Sequence, residues 1–127
     1  MRIINTVLAP TPIGPYSQAI EHENLIYLSG QIGINPLDSS ISQDIKIQTK
    51  QVFDNIQNIL KEANSSLENV IKVEIFLKNI SDFAIVNEIY ASLFGSHKPA
   101  RQTIGGLDLP KGALIEISCI SFKNPNE

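Results

Sequence analysis

Between Val70 and Lys78 the chain alternates with period two: Ile71, Val73, Ile75 and Leu77 share one side, and Lys72, Glu74, Phe76 and Lys78 the other. That is a strand with one face turned to a core. On either side of it the period becomes helical. Before it, Ile45, Val52, Phe53, Ile56, Ile59, Leu60 and Ala63 predict an amphipathic helix of about five turns. Ser42 is its expected N-cap, Asp44 suits its first turn, and Asn64 is its expected stop. After it, Ser81 is expected to cap a second helix that turns Phe83, Val86, Ile89, Tyr90, Leu93 and Phe94 inward and closes at Gly95.

Strand patterns fill the two ends of the chain. Residues 3–5 and Ser17 to Ile20 are short candidates, the second entering a turn at Glu21 to Asn24. Leu25 to Ile32 reads as one strand, with Ile26, Leu28, Gly30 and Ile32 on one face. Near the C-terminus, Ala100 to Ile104 and Ala113 to Phe122 flank a turn of Pro110, Lys111 and Gly112, ahead of a polar tail from Lys123 to Glu127. Two helices can cover only one face of such a sheet, which predicts an α+β sandwich of two layers. The uncovered face keeps Phe76 and one side of residues 113–122 apolar, and a subunit interface would cover it.

The 127 residues fit a single domain spanning the whole chain. Net charge is −3 with no run of Lys or Arg, so the chain carries no electrostatic footprint for nucleic acid or anionic membrane. The N-terminus turns polar too quickly for a signal peptide, and Lys72 and Glu74 interrupt the most apolar run, so no membrane span is expected. Asn64 and Asn79 open Asn-x-Ser sequons, read as chance. The single cysteine, Cys119, suits a reducing compartment, and the cytosol is the expected location.

His22 and His97 lack metal-ligand spacing, and no metal site is expected. Cys119 alternates with apolar residues and reads as an inert buried thiol. Arg101 and Glu116 are different, because each puts a charge inside an apolar strand. A cross-strand ion pair would account for both. The other account gives Arg101 a substrate carboxylate, gripped by its planar fork, and gives Glu116 the protons of a water. Gly30 inside a strand marks either a bulge or a close approach by ligand or backbone. The proline-rich loop Ala9 to Pro15 is a stiff support for Tyr16.

Several separated motifs resemble the Rid family, the reactive-intermediate deaminases also called the YjgF family, across nearly the whole chain. They are Ile13-Gly14-Pro15-Tyr16-Ser17-Gln18-Ala19, Ser29-Gly30-Gln31-Ile32, Asp82 to Asn87 with Tyr90, Pro99-Ala100-Arg101, Leu109 to Ala113 and Ile115-Glu116-Ile117. The resemblance implies a mixed, mostly antiparallel sheet backed by two helices and assembled as a homotrimer like the small trimeric chorismate mutases, with sites between subunits. It implies hydrolysis of 2-enamino and 2-imino acids, such as 2-iminobutanoate and 2-iminopropanoate, to 2-oxo acids and ammonia. These substrates are products of pyridoxal-phosphate dehydratases, and no cofactor or metal is needed. By the same resemblance Arg101 binds the carboxylate and Glu116 activates water. Tyr16, Ser29, Gly30, Asn87 and Thr103 line the pocket.

Three departures from the family pattern stand out. Thr103 replaces a common cysteine, Gly105-Gly106 replaces a valine-rich segment and is expected to loosen that strand, and Lys98 adds charge near the mouth. Two other roles ascribed to relatives are a regulatory trimer that binds a 2-oxo acid without turnover and a ribonuclease or translation inhibitor. The acidic composition argues against the ribonuclease.

Overall fold

The computed structural model describes residues 1–125. Seven strands form one sheet: β1 (Arg2–Ile4), β2 (Ala19–His22), β3 (Leu25–Leu28), β4 (Gln31–Ile32), β5 (Val70–Leu77), β6 (Ala100–Ile104) and β7 (Ile115–Phe122). Helices α1 (Ile45–Glu62) and α2 (Phe83–Phe94) cover one face. The strand order is β1-β2-β3-β7-β5-β6, with β4 also paired to β7. Every pairing is antiparallel except β5 with β6, which α2 connects as a parallel crossover. The expected α+β architecture is therefore the observed one. The last two residues of the polar tail lie outside the described residues.

Burial explains the layers. Val52, Phe53, Ile56, Ile59 and Leu60 of α1 and Val86, Tyr90 and Phe94 of α2 meet Val73, Ile75, Leu77, Ile115, Ile117 and Cys119 of the sheet in one core cluster. Phe53 sits at its centre, edge-on to Tyr90 at 6.1 Å and to Phe94 at 6.0 Å. Phe83 and Leu93, expected inward, are partly exposed, so the buried stripe of α2 is narrower than its apolar composition.

The helix starts differ from expectation. Asp44, not Ser42, is the N-cap of α1, and its carboxylate accepts from the Ile47 amide at 3.0 Å. Ser42 lies two residues earlier and accepts from the Asp44 amide. Either side chain can cap, and the backbone geometry selects the one placed three residues before a free amide. Asp44→Ala is expected to destabilise the fold by about 1 kcal/mol, seen as a Tm about 4 °C lower. At α2, Ser81 lies within a short 3-10 turn, Ile80–Asp82, and the cap position falls on Asp82 without a side-chain bond. Gly95 ends α2 at φ +61, as expected, while α1 ends at Glu62 with Asn64 beyond it at φ +57.

Two strands are less regular than their alternation. Ile71 is an extra residue in β5: Val70 pairs with Ser121 and Lys72 with Ile120, so a bulge turns Ile71 outward and leaves it 45% exposed. The expected strand 25–32 is two strands, broken at Ser29–Gly30. Beyond the break Gln31 pairs with Ile117 and Ile32 with Glu116, so the phase is reversed: Gln31 turns to the helix side and Ile32 to the Glu116 side, and both are buried. The turn between β2 and β3 is Glu23-Asn24, both at positive φ, as a two-residue hairpin requires.

Buried amides stitch the irregular parts together. Asn55 of α1 donates to the carbonyls of Ile32 and Ile34, and Gln48 accepts from the Leu114 amide. Gln18 donates to the carbonyls of Thr6 and Pro10 and accepts from the Thr6 amide. These bonds satisfy backbone groups that the broken sheet leaves unpaired.

Candidate active site

Arg101 lies on β6, an edge strand, in register with Val73 of β5, and Thr103 is in register with Ile75. Val73 and Ile75 are buried beneath the helices, so Arg101 and Thr103 belong to the helix-covered face. The guanidinium carbon sits 4.7 Å from the centre of the Tyr90 ring and 5.5 Å from that of Phe83. Asn87, half-buried, falls between these rings on the same i, i+4, i+7 stripe of α2. The side-chain hydroxyls of Tyr90 and Thr103 are buried and have no well-aligned hydrogen-bond partner among the described residues. Thr103 thus puts a buried hydroxyl on the same face of β6 as Arg101.

Glu116 lies on β7, in register with Phe76 of β5 and Ile32 of β4. Its neighbours Ile115 and Ile117 are buried toward the helices, so Glu116 points to the opposite face. Half-burial there raises its carboxyl pKa above the ordinary value by desolvation. Gly30 is what lets the carboxylate lie where it does: a Cβ on Gly30 would fall 2.5 Å from Glu116 Oε2 and 2.9 Å from Cδ. The break in the strand is therefore a close approach by a side chain rather than a sheet bulge. Ser29, beside it, donates its hydroxyl to the Ser17 carbonyl at 2.6 Å. Tyr16 lines a small crevice with Gly30, Gln31 and Pro12, and its hydroxyl accepts from the Ile13 amide.

The predicted site residues therefore form two groups. Arg101, Thr103 and Asn87 share the helix side, and Glu116, Gly30, Ser29 and Tyr16 gather at the strand break. A cross-strand ion pair between Arg101 and Glu116 is ruled out, because β5 separates their strands and they face opposite ways. The ion pairs among the described residues involve Glu21 with Arg2 and Lys123, and His22 with Glu23. An open cavity of about 510 Å³ beside the proline loop is lined by Pro12, Ile13, Ile34 and Lys111, and by neither Arg101 nor Glu116. Gln18 was not singled out as a site-supporting residue, although it falls inside the Ile13 to Ala19 motif and puts a polar side chain before the apolar Ala19-Ile20. It clamps the loop that carries Tyr16.

Gly105 does not loosen β6. The strand ends at Ile104, and a Cβ on Gly105 would fall 2.6 Å from Ile80 Cβ, so glycine lets the chain close against the turn that leads into α2. The Cys119 thiol is pushed up to about 12 by burial and stays protonated.

Glu116 carries a pH signature. A carboxyl whose folded pKa lies above its unfolded value contributes stability that is fully present below the unfolded pKa and is lost as pH rises through the folded one. Glu116→Gln is therefore expected to melt at or above the wild-type Tm at pH 7 and to lose that advantage below about pH 4. Thermal melts of both proteins from pH 3 to 8 check this.

The face that Glu116 shares is not covered by helices, and a lateral row of Ile3, Ile20, Tyr27 and Ile120 runs across it in register. Ile3 and Tyr27 are 63% and 41% exposed, an unusual amount of apolar surface for a sheet facing water. Among the described residues, no helix is long and apolar enough to cross a membrane.

Comparison with known proteins gives a consistent result. Residues 6–123 match the family described as endoribonuclease L-PSP. A RutC family protein of Pyrococcus horikoshii is 51% identical over 122 residues, covering 95% of this chain and 97% of its own. A Dermatophagoides farinae protein named 2-iminobutanoate/2-iminopropanoate deaminase is 42% identical over 120 residues, covering 94% of each chain. The structure of E. coli TdcF with bound serine matches with a TM-score of 0.93 at 32% identity, over 98% of this chain and 100% of that one. With one family matched from Thr6 to Lys123 and the fold shared throughout, the chain belongs to the Rid/YjgF/RutC family.

Proposed function

We propose that this protein hydrolyses small 2-imino acids, 2-iminobutanoate and 2-iminopropanoate among them, to 2-oxo acids and ammonia. The sites are completed between copies of the chain in a homotrimer. The observation that carries this reading is the combination of a guanidinium with no counter-ion among the described residues and a carboxyl with a raised pKa, on opposite faces of one sheet. A single chain cannot bring them onto one small molecule. Packing the apolar uncovered face of one copy beside the β6–α2 edge of the next would do so. The homologue named as a deaminase and the relative solved with serine support a ligand of amino-acid size.

In this reading Arg101 holds the substrate carboxylate through two parallel hydrogen bonds. Glu116 takes a proton from water as the water oxygen bonds to the imine carbon and the C=N electron pair moves to nitrogen. Glu116 passes that proton to the nitrogen, which completes a neutral carbinolamine. Glu116 then takes the carbinolamine hydroxyl proton as the carbonyl forms and delivers it to the nitrogen as the C–N bond breaks and ammonia leaves. One imine and one water give one 2-oxo acid and one ammonia. A carboxyl with a raised pKa suits a group that must both accept and return a proton.

The test mixes purified protein with a threonine dehydratase and threonine and follows 2-oxobutanoate release. A clear rise over the dehydratase alone is expected. A rate equal to that control sinks the deaminase, and tight 2-oxobutanoate binding without turnover would replace it with a regulatory binder.

A further inference from the structure

Arg101 has no carboxylate partner among the described residues, yet its guanidinium is held. It lies over both the Tyr90 and Phe83 rings at 4.7 and 5.5 Å, within the range of cation–π attraction. The rings are seven residues apart on α2, two turns along one side. Tyr90 is itself fixed, with its ring 4.5 Å from that of Phe94 and edge-on to Phe53. The start of α2, which carries Phe83, follows the turn that closes on Gly105.

We propose that Tyr90 and Phe83 are positioning residues for Arg101, two rings that orient its N–H fork toward an incoming carboxylate without neutralising it. The inference rests on the reading of Arg101 as the carboxylate anchor. A protein carboxylate in the same place would hold the side chain equally well, but it would compete with the substrate for the fork. Aromatic faces do not compete. Burial raises the pKa of the Tyr90 phenol despite the nearby Arg101 charge, so Tyr90 stays neutral and adds no rival anion. The Arg101 side chain also lies near the Tyr90 hydroxyl, which has no well-aligned hydrogen bond among the described residues, and Tyr90→Phe separates the hydroxyl from the ring.

The experiment reads Arg101 directly through the NMR signal of its side-chain Nε–H, alongside 2-oxobutanoate affinity and steady-state kinetics. In the wild type the two rings should shift that signal away from the position of a free arginine. Phe83→Leu, at a partly exposed site, is expected to return it toward that position. The same variant should raise Kd and KM about three- to tenfold while kcat stays within about twofold. Tyr90→Phe keeps the ring and should bind within about twofold of wild type. Tyr90→Leu should weaken binding about tenfold, and if it does not fold, Phe83→Leu decides alone. A folded Phe83→Leu variant with an unmoved Arg101 signal and unchanged affinity overturns the proposal. A ring-shifted signal that Phe83→Leu abolishes, in a wild-type protein with no affinity for 2-oxobutanoate, would sink the deaminase reading while upholding the aromatic positioning of Arg101.

Discussion

Arg101→Ala is expected to reduce dehydratase-coupled 2-oxo acid release to the uncatalysed rate while leaving the fold intact. Two charge-assisted hydrogen bonds to a carboxylate contribute about 1.5–3 kcal/mol each, which corresponds to a loss of about 10²- to 10⁴-fold in kcat/KM. Stability should change little, because Arg101 is on an edge strand, half-exposed, and no ion pair among the described residues involves it. A truncation there strands no buried carboxylate. Arg101→Lys should recover little of the activity, since an ammonium cannot offer two parallel donors. Coupled kinetics beside thermal melts separate the two effects. Near-normal turnover from Arg101→Lys would contradict the bidentate grip.

Glu116→Gln should lower kcat by about 10²- to 10⁴-fold, the usual range for losing a positioned general base and acid. Binding of 2-oxobutanoate should persist, because the carboxylate anchor is elsewhere. Gly30→Ala approaches the same group by a different route. Its new Cβ would need the space of Glu116 Oε2, so the carboxylate must move although its chemistry is unaltered. Low kcat with retained affinity is therefore expected from both variants. Weak binding with normal kcat from Glu116→Gln would assign that residue to binding instead.

The fold was legible where one local pattern decides the outcome. The helical stripe from Ile45 to Ala63 and the period-two run of β5 both follow from burial on one side. Details that depend on competing local partners were not legible. Ser42 and Asp44 are both capable caps, and the single extra residue at Ile71 leaves no mark in the alternation. The break at Ser29–Gly30 depends on Glu116, which is 86 residues away in the chain. Strand order was the larger gap. Ala100–Ile104 and Ile115–Phe122 are consecutive strands, so an Arg101–Glu116 pair was reasonable, but β5 lies between them. Arg101 and Glu116 were legible as charges inside apolar strands and Gly30 as a glycine within one, while Ser29, Asn87 and Thr103 came from the family motifs. Their separation onto two faces is visible only from the register.

That separation gives the most direct test. Arg101→Ala and Glu116→Gln chains, each inactive alone, are unfolded together and refolded as a one-to-one mixture. If each site takes Arg101 from one copy and Glu116 from another, random assembly leaves about one site in four with both native residues. Activity should return to about a quarter of the wild-type value. A mixture that assembles but stays as inactive as its two parents would contradict a site shared between copies.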